Sequence, residues 1–255
     1  MILSIDVGNT STTFGLFDNE IIIFQFRRET NIHSSSDEIG IFIRSVLKEN
    51  GYKWENISKI GCCSVVPSMN YSLSSACQKY LNVTPLFIQA GIKTGLKLKY
   101  SNPKEIGADL IAAAMGAVHL YPNRNMIIVD MGTATTLELV SANEEFLGGS
   151  ILPGLKISVD ALATGTAKLP SVAISKPHDI YGSTTTEAIQ VGLYYGTAGS
   201  IKEICYMYQK NVFKGQKPLI IGTGGFSKIF ADYNLFDQIV PELVLQGVKC
   251  AIDLN

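Results

Sequence analysis

Short apolar blocks separated by polar turns open the chain. Residues 3–7, 12–17 and 21–26 have strand length, which predicts three successive antiparallel strands with Asp18-Asn19-Glu20 as the second turn. Ser34-Ser35-Ser36-Asp37 offers N-cap residues to a helix reaching about residue 49, and Asn50-Gly51 stops it. Residues 57–66 read as a buried strand ended by Pro67, residues 69–80 as a helix, and residues 85–88 as another short strand. Residues 90–100 are punctuated by glycine and carry Lys93, Lys97 and Lys99, either a solvated loop face or an attraction for an anion.

Asn102-Pro103-Lys104-Glu105 has the residues of a helix start: Asn as N-cap, Pro at N1 and Glu at N3. The predicted helix continues through the Gly- and Ala-rich residues 107–117, whose small side chains let neighbouring backbones approach, as suits a helix wedged between two halves. Residues 126–140 then read as a hairpin and residues 144–151 as its third strand, repeating the opening triplet. A Gly-rich turn at 148–154 leads into a helix ending near residue 163, and residues 163–181, with Pro170 and Pro177, look irregular. Residues 184–209 form a long predicted helix interrupted by Gly192, Gly196 and Gly199. Its tyrosines 194, 195, 206 and 208 suit packing or a subunit interface. A strand at 219–221, a Gly222-Thr223-Gly224-Gly225 turn into a helix, and a final helix at 241–251 complete the pattern. The β-β-β-α-β-α-β order is that of a ribonuclease-H-like half. The expected fold is therefore α/β, with two ribonuclease-H-like (actin-like) domains, residues 1–117 and 118–255, whose mixed sheets face a nucleotide cleft.

The chemistry concentrates at two matching turns. Asp6-Val7-Gly8 and Asp130-Met131-Gly132 each end an apolar strand, and Asp6 with Asp130, Gly8 with Gly132 and Thr12 with Thr136 fall at one common offset. A carboxylate at the end of a buried strand is costly unless a cation meets it, and the turns supply N–H groups and hydroxyls that suit phosphate oxygens. Asn9, Thr10, Ser11, Thr12 and Thr13 would contact phosphates. Asp6 and Asp130 would hold Mg²⁺ directly or through water, and the side-chain-poor Gly222–Gly225 turn would line a base pocket. Phosphoryl transfer also needs a carboxylate to take the acceptor's proton, and Asp109 is the candidate.

Composition narrows the field. The chain has 255 residues, 46% of them hydrophobic and 17% charged, which suits a globular protein with a sizeable core. A net charge of −1, from 21 basic and 22 acidic residues, argues against a nucleic-acid surface. No apolar run approaches the roughly 18 residues of a membrane span, so no membrane partner is expected. Five cysteines without a C-x-x-C pair, Cys62 and Cys63 among them as core thiols, fit a reducing cytoplasm. There is no G-x-x-x-x-G-K-[ST] and no G-x-S-x-G, and His33, His119 and His178 are scattered, which argues against P-loop, hydrolase-triad and zinc chemistry.

Asp6-Val7-Gly8-Asn9-Thr10, Tyr100-x-Asn102-Pro103, Gly107-Ala108-Asp109, residues 130–136, Gly148-Gly149-x-Ile151-x-Pro153-Gly154 and Gly222-Thr223-Gly224-Gly225 occur in this order across almost the whole chain. Together they resemble type III pantothenate kinases, of the acetate and sugar kinase/heat-shock-70/actin superfamily. The resemblance implies ATP-dependent phosphorylation of pantothenate with Mg²⁺ and a monovalent cation, K⁺ or NH₄⁺. It assigns Asp6, Val7, Gly8, Asn9, Thr10, Ser11, Thr12, Thr13 and Thr133 to ATP, Asp109 to proton acceptance and Asp130 to the monovalent cation. Tyr100, Gly107, Ala108, Asp109, Leu110 and Thr185 become pantothenate contacts. The resemblance also implies a homodimer in which that Thr comes from the partner subunit.

One position departs from the family pattern: Gly-x-Asp-Arg reads Gly107-Ala108-Asp109-Leu110. Leu has neither the charge nor the rigid fork of donors that Arg offers. Two alternatives follow, a catalytically weakened nucleotide-binding regulator on the same scaffold and a related kinase with another small acceptor.

Overall fold

The computed structural model describes residues 1–255, which pack into two units. The first comprises Met1–Leu96, Tyr100–Leu120 and Leu243–Asn255; the second comprises Lys97–Lys99 and Tyr121–Glu242. In the first unit, β1 (Ile2–Val7), β2 (Ser11–Asp18) and β3 (Ile21–Glu29) form the expected antiparallel triplet. Strands β4 (Lys59–Ser64) and β5 (Leu86–Phe87) add in parallel, giving the order β3-β2-β1-β4-β5. Helix α1 (Ser36–Glu49) starts on a capping box, in which Glu38 N donates to Ser35 Oγ at 3.2 Å and Ser35 N donates to Glu38 Oε2 at 2.7 Å. With α2 (Pro67–Ala76), it buries Ile39, Ile43 and Leu73 in one core with Leu3, Ile5 and Val7. Pro67 opens α2 because its fixed φ and missing N–H suit a first helical turn, so strand β4 stops at Ser64, short of the expected residue 66.

The second unit repeats this plan. Its strands are β6 (Lys97–Leu98), β7 (Met126–Met131), β8 (Ala134–Val140), β9 (Glu145–Pro153), β10 (Leu219–Thr223) and β11 (Gln238–Ile239), ordered β11-β10-β7-β8-β9-β6. Strands β7, β8 and β9 are antiparallel neighbours, and β10 and β11 add in parallel on the other side of β7, as β4 and β5 do beside β1. The edge strand β6 lies in the segment expected to be loop, where Lys97 and Leu98 pair with Glu145 and Phe146. Helices α4 (Leu155–Gly165) and α5 (Thr185–Asn211) follow β9. The glycines of α5 do not interrupt it: Gly192, Gly196 and Gly199 face open space within one continuous helix.

Two expectations change near the end of the first unit. The Asn102 start does not run into the Ala-rich helix. Pro103–Glu105 is a single 3₁₀ turn, Ile106 is extended, and a separate helix α3 spans Ala108–Leu120. The final helix α6 (Leu243–Leu254) packs with the first unit, whereas a division at 117/118 would put it in the second. Small residues explain its seat. Ser4 on β1 lies opposite Gly15 on β2 and Gly61 on β4, making a shallow row across the sheet. A Cβ at Gly61 would stand 2.7 Å from Ile252 and Val248, and one at Gly15 would stand 3.0 Å from Leu245. Helix α3 meets α6 through glycine on both sides, since a Cβ on Gly116 or Gly247 would run into backbone of the other helix.

Candidate active site

Asp6 is the penultimate residue of β1 and Asp130 that of β7, and each is half-buried. The two following turns are alike but not identical. Gly8 N donates to Ser11 O at 3.1 Å, whereas Gly132 N donates to Ala134 O at 3.0 Å, so the first turn is one residue longer. The sheet register therefore matches Thr12, paired with Val7, to Thr135, paired with Met131. Both are 2% exposed. The pairing of Thr12 with Thr136, read from a constant offset, is thus out by one, and Thr13 is the counterpart of Thr136.

The first turn is braced by a residue that sequence reasoning missed. Thr30 Oγ1, beyond the end of β3, donates to Gly8 O at 2.7 Å and lies 3.0 Å from Thr12 Oγ1, while Thr30 N donates to Thr10 O at 3.0 Å. The signal for it is the inward side chain of Thr12, which needs a polar partner in the buried triplet. Val7 is fully buried, so it offers a ligand only backbone. Asn9 and Thr10 are exposed at the tip of the turn, and Ser11 and Thr13 are partly exposed.

Around Asp130 the Gly-rich motifs form the wall. Gly224 has φ 80°, and a Cβ there would overlap Asp130 Oδ1 and stand 2.7 Å from Met131 backbone atoms. A Cβ at Gly154 would collide with the Thr133 carbonyl and stand 2.8 Å from Gly132 O. These glycines admit backbone where any side chain would block the turn. Thr133 is exposed at its tip. Sequence reasoning also passed over Glu138, a buried carboxylate on β8 that accepts from Thr136 Oγ1 at 3.1 Å. The donors here are carboxylate, carbonyl and hydroxyl oxygens, without imidazole or thiolate, a set that suits a hard cation such as K⁺ or Mg²⁺.

Asp109 lies in the first turn of α3. Its Oδ1 accepts from Leu110 N at 2.9 Å, and a Cβ at Gly107 would run into that oxygen. Burial raises the Asp109 pKa above the ordinary aspartate value, against the smaller opposing effect of the Leu110 N–H. A carboxylate tuned upward is a better proton acceptor than a solvated one. Tyr100 is 42% exposed, and Gly107, Ala108 and Leu110 are half-buried.

Thr185 is the first residue of α5 and is exposed. Thr184 caps the helix, and Glu187 returns to the cap by accepting from Ser183 N at 2.8 Å, Ser183 Oγ at 2.6 Å and Thr184 N at 3.1 Å. The Ser183 hydroxyl above all, with the Ser183 and Thr184 N–H groups, holds the Glu187 carboxyl below its usual range. In Thr185-x-Glu187, then, the Glu shapes the helix end and leaves the Thr outward. The five cysteines are buried and joined in no disulfide. Burial pushes the thiols of Cys77 and Cys205 up to about 12 and that of Cys250 to about 11, which removes them as nucleophiles.

A profile for the family described as type III pantothenate kinase matches residues 2–206. A Legionella pneumophila (strain Corby) protein named type III pantothenate kinase is 51% identical over 255 residues, covering 100% of this chain and 99% of the relative. Another, named type III pantothenate kinase 1, from Francisella tularensis subsp. holarctica (strain OSU18), is 42% identical over 100% of both chains. A solved structure from Campylobacter jejuni, provisionally described as a Baf family transcriptional activator, has a TM-score of 0.61 at 21% identity, covering 98% of this chain and 97% of that one. At that identity the likeness concerns fold alone. The sequence relatives align end to end, and this chain belongs to the type III pantothenate kinase family.

Proposed function

We propose that the protein transfers the γ-phosphoryl group of ATP to the primary hydroxyl of pantothenate, giving 4′-phosphopantothenate on the way to coenzyme A. Membership of the family supports the substrate pair. The observation that carries the chemistry is Asp109, a carboxylate with its pKa raised by burial in the first turn of α3.

In this reading the Gly8 turn, with Asp6, Asn9, Thr10, Ser11 and Thr13, binds ATP phosphates through N–H groups and hydroxyls, while Val7 and Thr12 act through backbone. Thr133 also contacts ATP. Tyr100, the Gly107–Leu110 stretch and Thr185 hold pantothenate. Asp109 accepts the proton as the pantothenate oxygen bonds to the γ-phosphorus and the bond to ADP breaks. Asp130, with the oxygens around it, would hold a monovalent cation, K⁺ or NH₄⁺. Such a cation and ATP-bound Mg²⁺ supply neutralisation of phosphate charge. The protein works as a homodimer with α5 at or near the interface, which its exposed Tyr206 and Met207 support. It acts in the cytoplasm, a setting that suits five cysteines outside disulfides. No helix is long and apolar enough to cross a membrane.

An ADP-release assay with and without pantothenate, with potassium and ammonium varied, tests the reading. Pantothenate-dependent turnover is expected. ATP binding without such turnover would refute it.

A further inference from the structure

The stretch between α4 and α5, residues 166–184, has no regular structure, yet it is tied down at separate points. Ile174 packs against the core of the second unit beside a residual cavity of about 10 Å³ lined in part by Leu155, Tyr194 and Phe230. Lys176 Nζ pairs with Asp232 Oδ2 at 2.9 Å, with both side chains exposed. Gln190 Nε2, on α5, donates to Ala173 O at 2.9 Å and to Ser175 Oγ at 3.2 Å. An exposed ion pair contributes little, and a gap beside an apolar side chain forfeits part of its dispersion contact. The two-pronged Gln190 tie is therefore the specific one. Downstream, Gly182 sits so close to the Glu187–Ala188 backbone that no Cβ fits there. The strap thus runs from the Gln190 tie into the cap that presents Thr185.

We propose that Gln190 is a positioning residue for pantothenate. By tying residues 173 and 175 to α5, it holds the strap so that Thr185 is offered in one geometry. The proposal rests on the reading of Thr185 as a pantothenate contact. Releasing the tie lowers the fraction of molecules with Thr185 in place, and apparent affinity falls by that fraction. ATP is held by other residues and is unaffected.

The test compares wild type, Gln190→Met, which keeps reach without a donor, and Thr185→Ala by steady-state kinetics. For Gln190→Met, KM for pantothenate is expected to rise about three- to tenfold through loss of the competent fraction. KM for ATP and kcat should stay within about twofold, since neither ATP binding nor the transfer step is touched. Trypsin should cut after Lys168, inside the strap, faster than in wild type. A purely structural role for Gln190 would lower Tm and leave the pantothenate KM unmoved. If Thr185→Ala raises that KM and folded Gln190→Met does not, the proposal is overturned while the Thr185 reading stands. If Thr185→Ala leaves it unchanged, both fail. Should Gln190→Met not fold, Gln190→Leu, which likewise has neither donor nor acceptor for residues 173 and 175, replaces it with the same expectations.

Discussion

The backbone of Gly224 lies against the carboxylate of Asp130, leaving no room for a Cβ between them. Strands β10 and β7 run in parallel to their ends, pairing Thr223 with Asp130, so the turn leaving β10 must cross the Asp130 side chain. Gly224→Ala would add a side chain at φ 80° and push on Oδ1. Strain of this kind costs roughly 1–3 kcal/mol. If Asp130 holds the cation, displacing it from its support weakens metal affinity on the order of 10- to 100-fold. We expect the potassium or ammonium concentration giving half-maximal activity to rise accordingly. Activity titrations with each chloride salt would show it, and an unchanged midpoint would remove Asp130 from cation binding.

Thr30 offers a second test. Thr30→Val keeps the shape, deletes the bond to Gly8 O and leaves the buried Thr12 hydroxyl without its partner. An unsatisfied buried hydroxyl costs about 1–3 kcal/mol. Denaturant unfolding should show that loss, and KM for ATP should rise more than KM for pantothenate. Equal rises would mean that the Gly8 turn is not specific to nucleotide.

These two residues also mark where the sequence stops being readable. The strand triplets were legible because alternation and Gly turns are local signals, and the two sheets do repeat one plan. Thr30 was not, because its role depends on which side chain of β2 faces inward, a matter of register. The offset between Thr12 and Thr136 misled for the same reason: one extra residue in a turn shifts every pairing after it. Helix α6 looked like the end of the second half because nothing local announces the shallow row of Gly15, Ser4 and Gly61 that receives it. At Asn102 the helix signals were sound but short-range. Asn102 Nδ2 donates to Glu105 Oε1 at 2.8 Å, closing a single turn before Ile106 becomes extended.

If Asp109 is the base, it ties activity to stability with opposite signs. Its folded-state pKa is raised by burial, so its contribution to stability is fully present below the unfolded aspartate value and lost as pH rises through the folded one. Asp109→Asn should therefore be more stable than wild type at neutral pH, with the gap closing towards acid. Turnover should fall roughly 10²- to 10⁴-fold, the loss expected for a missing general base, with ATP binding retained. In wild type the acid limb of kcat/KM for pantothenate should lie above the ordinary aspartate range. Melting curves and rates across pH measure both. A variant with more than about a tenth of wild-type kcat would exclude Asp109 as the base.

Leu110 follows Asp109 in the first turn of α3, and its Cγ would stand 3.7 Å from a Cβ at Gly107. If this position contacts pantothenate, Leu supplies no charge-assisted hydrogen bond, worth about 1.5–3 kcal/mol. That corresponds to on the order of 10- to 150-fold in affinity. We predict a working kinase with a high KM for pantothenate, and Leu110→Arg should lower it. The new guanidinium would also stand beside a carboxylate whose pKa burial now raises. A nearby cation favours the ionised form, so the acid limb of kcat/KM should move to lower pH in the variant. A cation near a helix N-terminus opposes the helix dipole by about 0.3–1 kcal/mol, so a small loss of Tm should accompany these gains. The two kinetic effects separate the causes. A lower KM with an unmoved acid limb would mean that the guanidinium reaches pantothenate but not Asp109. A shifted limb with unchanged KM would mean that position 110 acts on the base alone. No change in either would show that Leu110 contacts neither.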